Sequence, residues 1–105
     1  MRNFDLMVRL LEEMAAKPDG RIILVNSFGM SEERLERRHH AENLCDAGRV
    51  EWESEHVFRI TNEGYDFLAA LKKNPRLRDK AKKLIAQGES WLAMFEKITS
   101  LVDKI

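Results

Sequence analysis

From residue 49 to residue 60 the chain alternates polar and apolar side chains on both sides of Ser54-Glu55, and helical patterns lead into and out of this stretch. A period of two around a short polar break is the pattern of a β-hairpin. Val50, Trp52, Val57 and Phe58 are its candidate packing residues. Successive strand side chains point to opposite faces, so Val57 and Phe58 cannot both face the same side.

Upstream, Phe4, Met7, Val8, Leu11, Met14 and Ala15 recur at helical spacing, widened by Leu6 and Leu10, which predicts a helix over 4–16. Pro18-Asp19-Gly20 stops it. Arg21-Ile22-Ile23-Leu24-Val25 is short, apolar and β-branched, and suits a strand or a buried helical turn. Ser31 reads as the N-cap of a helix running to about Ala47, with Gly48 just past its end. Met30, Leu35, Ala41, Leu44 and Cys45 are the apolar contacts expected of that helix, a thin stripe that leaves much of it exposed.

Downstream, Thr61 caps a helix carrying Tyr65, Phe67, Leu68 and Leu71, and Asn74-Pro75 ends it. Leu77, Ala81, Leu84 and Ile85 mark a short helix stopped near Gly88. The last helix, from Glu89 or Ser90, carries Trp91, Phe95, Ile98, Val102 and Ile105 at spacings of four, three, four and three, the a/d seam of a helix that packs on another. Ser27, Ser31 and Ser90 are simplest as turn or cap residues.

The order helix, short strand, helix ending in Asp46-Ala47-Gly48, hairpin, Thr-capped helix is that of a winged helix-turn-helix domain. Asp46-Ala47-Gly48-Arg49-Val50 is similar to the turn between recognition helix and wing, and Ile60-Thr61-Asn62-Glu63-Gly64 to the start of the helix after the wing. With His40, Leu44 and Tyr65-Asp66-Phe67-Leu68, these residues resemble a family of uncharacterised winged-helix proteins of bacterial and phage genomes, the YjcQ family, over residues 4–85. Arg49 departs from it by standing where an apolar residue is usual. Residues 20–31 are too short for a full second helix and turn, so the helix-turn-helix is expected to be reduced. The fold class expected is α+β, mostly helical, with a winged-helix domain over 1–73 and a C-terminal helical extension over 74–105. That extension belongs either to the same compact unit or to a dimerisation arm.

A chain of 105 residues fits one domain, and 44% hydrophobic with 34% charged residues suits a folded body with a charged surface. No stretch approaches the ~20 apolar residues of a membrane span, and the expected location is the cytoplasm. The one cysteine, Cys45, excludes an intrachain disulfide and a multi-cysteine zinc site. His39-His40 has no partner ligands at metal spacing, so no metal or other cofactor is expected. With no phosphate loop and no nucleophile motif, neither is an enzyme.

Charge is uneven. Residues 1–71 hold 9 Lys/Arg against 14 Asp/Glu, and residues 72–105 hold 9 against 4. In a winged helix the exposed face of the helix before the wing enters the major groove of double-stranded DNA. Here Arg34, Arg37, Arg38 and His39, with His40 beside them, are the candidates for that face. Five acids on the same helix and Glu51, Glu53 and Glu55 on the wing oppose phosphate approach. The run Lys72, Lys73, Arg76, Arg78, Lys80, Lys82, Lys83 contains one acid, Asp79, and is the clear electrostatic footprint for a nucleic-acid backbone. Two functions are therefore expected. The first is a DNA-binding regulator of the phage or prophage type, a homodimer through the last helix. The second is a winged helix that docks a protein partner. For the seam of that helix, packing within the chain stands beside pairing with a second copy.

Overall fold

The computed structural model describes residues 2–25, 29 and 31–102, with only the backbone of Val102. Among them are five helices and a three-stranded antiparallel sheet in the order β1-β3-β2: α1 (Phe4–Ala15), β1 (Arg21–Ile23), α2 (Glu32–Asp46), β2 (Val50–Ser54), β3 (Val57–Ile60), α3 (Asn62–Lys73), α4 (Arg76–Ala86) and α5 (Trp91–Val102). The architecture is α+β, and its element order and sheet are compatible with a winged-helix-like arrangement. Between β1 and α2 no second helix stands among the described residues.

Local chemistry explains the boundaries. Asn3, Ser31 and Thr61 each accept a backbone N–H through the side chain at the start of α1, α2 and α3, and Ser90 does so for α5. Gly48 ends α2 at φ 74°, where the Arg49 N–H returns to the Leu44 carbonyl, a closure that needs a left-handed residue at that point. The hairpin turns at Glu55-His56, one residue later than the alternation suggested. The expected cap Ser27, the apolar contact Met30 and the seam residue Ile105 lie outside the described residues.

α1 is the hub. Phe4, Met7, Val8, Leu10, Leu11 and Met14 are all buried, and each contributes roughly 1.5–3 kcal/mol. Around α1 pack α2, α3, α4, β1 and β3, and α5 closes the far side against α2, α3 and α4. In the sheet, Ile22, Phe58 and Trp52 form one cross-strand row toward the helices, with Phe58 fully buried and Trp52 stacked on it at 5.5 Å. Val57, on the other face, is half-buried.

Three expected packing residues are corrected. Trp52 stacks on Phe58 yet keeps 49% of its surface exposed. Leu35 remains 48% exposed because it lies on the outward side of α2, and Tyr65 sits 41% exposed on the solvent side of α3. Leu77, Ala81 and Ile85 of α4 and Trp91, Phe95 and Ile98 of α5 join the same core as α1.

Candidate nucleic-acid interface

α2 buries Arg38, His40, Ala41 and Leu44, so its outward side is the stripe Glu32, Leu35, His39, Glu42, Asp46, spaced by three or four residues. This corrects the expected base-reading face. Arg38 is only 5% exposed; its guanidinium donates to the carbonyls of Leu24 and, at 2.9 Å, Glu55, and lies within 5.6 Å of the Trp52 and Phe58 ring centroids. It ties the hairpin tip and the end of β1 to the helix. Arg37 is spent on Glu13 of α1, which its two terminal nitrogens reach at 2.7 and 3.1 Å. Arg34 and His39 are exposed, alone among the expected basic contacts on this helix.

The Glu13–Arg37 pair has a pH signature. The hydrogen bond from Arg37 holds the Glu13 carboxyl below its usual range, with burial opposing and the Arg37 charge adding to it. A carboxyl depressed in the folded state adds stability above its unfolded value, and that stability is lost as pH falls through the folded one. Glu13→Gln is expected to flatten the acid limb of the melting-temperature profile, with a small effect at neutral pH because the pair is partly exposed. Superimposable acid limbs for the two proteins would contradict the pairing.

His40, set beside the groove-facing candidates in the sequence, is instead buried beneath the start of α1. Its Nε2 accepts the Asn3 backbone N–H at 2.9 Å, so the ring proton sits on Nδ1, which donates to the Glu36 carbonyl at 2.8 Å. The Trp91 ring packs edge-on against it. Arg49, where an apolar residue was expected, lays its guanidinium 4.8 Å from the Phe95 ring centroid and donates to the Ala47 carbonyl at 2.7 Å. The guanidinium face makes a cation–π contact with the ring while Nη1 satisfies the end of α2, and Nε is buried with no hydrogen-bond partner among the described residues.

On the wing, Glu51 and Glu53 are less repulsive than their sequence suggests. Arg59 reaches Glu51 at 2.6 Å and Glu53 at 3.1 Å, and Arg21 reaches Glu53 at 2.6 Å, forming a charge ladder on the outer face of the sheet. Glu55, at the turn, keeps its side chain 81% exposed.

The basic run spans the end of α3 and most of α4. Lys72, Lys73, Arg76, Lys80, Lys82 and Lys83 are exposed and Arg78 is half-buried. Leu77, Ala81 and Ile85 hold the opposite side of α4 in the core, so Arg76, Lys80 and Lys83, spaced four and three, line its outward side with Asp79. Among the described residues one cation of the run forms an ion pair, Lys82 with Asp5 at 3.1 Å. Arg76 and Arg78 stand in the first turn of α4, at the positive end of its dipole, where they weaken the helix rather than stabilise it.

The seam of α5 faces inward. Trp91, Phe95 and Ile98 are buried within the chain, and Phe95 meets Phe67 of α3 edge-on at 4.6 Å. The expectation that this seam pairs with a second copy is therefore corrected for these three residues; the Val102 side chain and Ile105 lie outside the description. Cys45 is half-buried, and burial, with Asp46 and Glu42 nearby, raises its thiol to about 11, so it is not a thiolate at neutral pH. Among the described residues no three His, Cys, Asp or Glu side chains converge as metal ligands, and no helix is long and apolar enough to cross a membrane. Set against protein-family models, curated proteins and solved structures, the chain matches none.

Proposed function

We propose that this chain is a winged-helix-like DNA-binding protein that grips the duplex by its phosphate backbone through α4 and the end of α3. The observation that carries the reading is the outward row Arg76, Lys80, Lys83 with Lys72 and Lys73 beside it, exposed and without ion pairs among the described residues. Neutralising phosphates supplies most non-specific affinity. The surface carries no aromatic platform, so backbone contact rather than base stacking is its role. With Arg37 and Arg38 withdrawn into the fold, base readout by α2 is not part of the proposal.

The test is a fluorescence-anisotropy titration of a mixed-sequence duplex at several salt concentrations. Micromolar binding is expected, falling steeply with salt by about 0.9 in log–log slope per phosphate contact. Lys80→Glu with Lys83→Glu should weaken it roughly tenfold or more and flatten the slope by about two contacts. Arg34→Ala should change it little. Equal binding by the wild type and the double variant would defeat the proposal. A second reading, docking of a protein partner, is favoured by the apolar side chains left exposed on the opposite, acidic part of the molecule.

A further inference from the structure

α2 and α4 each pack on α1 and on α5, and these four helices form a ring with α2 and α4 at opposite corners. The outward side of α2 therefore lies away from the basic row. Its chemistry is the reverse of that row. Glu32, Leu35, Glu36, Arg38, His39 and Glu42 line an open groove of about 680 Å³ along the helix. Leu35 leaves 48% of its surface to solvent at the middle of this groove. Arg38 forms part of the groove wall and its guanidinium lies 5.6 Å from the Trp52 ring centroid, which sets the hairpin next to the groove; there Trp52 is 49% exposed, and the Glu55 side chain is 81% exposed with its carboxylate 4.0 Å from His56 Nε2.

Leu35 and Trp52 leave large apolar side chains in water on this side of the molecule, and Trp is among the residues enriched at binding hot spots. Trp52 is also pre-organised: Phe58 stacks beneath it, and its indole N–H donates to the Glu55 carbonyl at 3.3 Å. Holding the ring in place before binding removes part of the ordering cost that a mobile side chain would add. The rim carries Glu32, Glu36, Glu42 and Glu55, with Arg38 buried behind it.

We infer that this surface docks a basic amphipathic helix of a partner protein, with the partner's apolar side chains on Leu35 and Trp52 and its Lys or Arg side chains against the four carboxylates. Apolar anchors select the helix-in-groove mode, and the acidic rim selects the sign of the partner. The inference does not rest on DNA binding, because the two surfaces share no residue.

The probe is a labelled synthetic Leu/Lys peptide of about five helical turns, roughly 18 residues, compared with a Ser/Lys peptide of equal charge. The full chain is titrated by anisotropy. Micromolar binding of the Leu/Lys peptide, at least tenfold weaker binding of the Ser/Lys peptide, and loss of the difference in Leu35→Ser are expected. Leu35 is exposed, so this variant keeps its circular dichroism and its DNA affinity. Equal binding of the two peptides, no saturable binding, or an unchanged Leu35→Ser would overturn the inference. Light scattering run on the same samples covers one more occupant. A dimer that Leu35→Ser dissociates would assign the surface to a second copy and overturn it as well.

Discussion

Arg38→Met is expected to lower stability by about 2–4 kcal/mol, because it removes two part-buried hydrogen bonds from a charged donor to backbone carbonyls. The guanidinium serves three elements at once: the Leu24 carbonyl after β1, the Glu55 carbonyl at the hairpin turn, and the paired rings of Trp52 and Phe58. Met fills much of the volume of the arginine stem, so the change isolates the polar contacts from the packing. The Glu55 carbonyl retains the Trp52 indole N–H, whereas the Leu24 carbonyl keeps no side-chain donor among the described contacts. Arg38→Lys should fall between the two, since a single ammonium cannot span both carbonyls as a planar fork does. Urea denaturation followed by circular dichroism measures the difference. If Arg38→Met unfolded at the wild-type midpoint yet lost DNA affinity, the side chain would be a DNA contact after all, and its buried position would not describe the protein in solution.

Most element positions were legible from short-range signals. Ser31, Thr61 and Gly48 mark their helix ends through local backbone chemistry, and the alternation of residues 49–60 has a single structural meaning. The orientation of α2 was not legible. Its apolar stripe is thin because Arg38 and His40 occupy inward positions next to Ala41 and Leu44. Helical periodicity counts apolar letters, and a buried Arg between two carbonyls and two rings fills an apolar slot while reading as charge. Read with Arg38 and His40 counted as inward, Ala41 and Leu44 would have placed Leu35 and His39 outside, and the expected groove-facing arginines with them on the wrong side.

The candidate surfaces divide along the same line. The basic row of α4 was legible because it is a run in sequence, and helical spacing alone separates Arg76, Lys80 and Lys83 from Leu77, Ala81 and Ile85. The direction of the α5 seam was not, because an a/d pattern is equally satisfied by a helix of the same chain or of another. What decides it is the unmet apolar surface of α3 and α4: Phe67, Leu71, Leu77 and Ile85 need a cover, and Phe95 with Ile98 supplies it. Of the ion pairs that quiet the wing, Arg59 with Glu51 and Glu53 lies within the β2–β3 hairpin, whereas Arg21 with Glu53 depends on β1 pairing with β3, a contact between segments far apart in sequence.

Gly64→Ala is expected to destabilise the protein by about 2–3 kcal/mol through overpacking, although helix propensity alone predicts a gain of about 1 kcal/mol. Gly64 lies in the first turn of α3, and a β-carbon there would stand 2.4 Å from the Arg49 carbonyl oxygen and 2.6 Å from Cγ1 of Ile60. Neither neighbour is free to yield. The Arg49 carbonyl accepts the Thr61 N–H at 3.0 Å, the Thr61 hydroxyl donates to the Gly48 carbonyl at 2.9 Å, and the same hydroxyl accepts the Gly64 N–H. The start of β2 is thereby clamped onto the start of α3, and a methyl group can enter only if the cap opens. For a domain of this size the loss corresponds to a fall in Tm of roughly 10–20 °C. Gly48→Ala provides the comparison: nothing lies within 4 Å of its would-be β-carbon, so it bears only the strain of φ 74°, about 1–2 kcal/mol. Thermal melts should therefore rank Gly64→Ala below Gly48→Ala. The reverse order, or a Gly64→Ala protein melting at or above the wild type, would mean that α3 can shift away from β2 without disturbing the Thr61 cap, and the close approach would then be incidental to the fold.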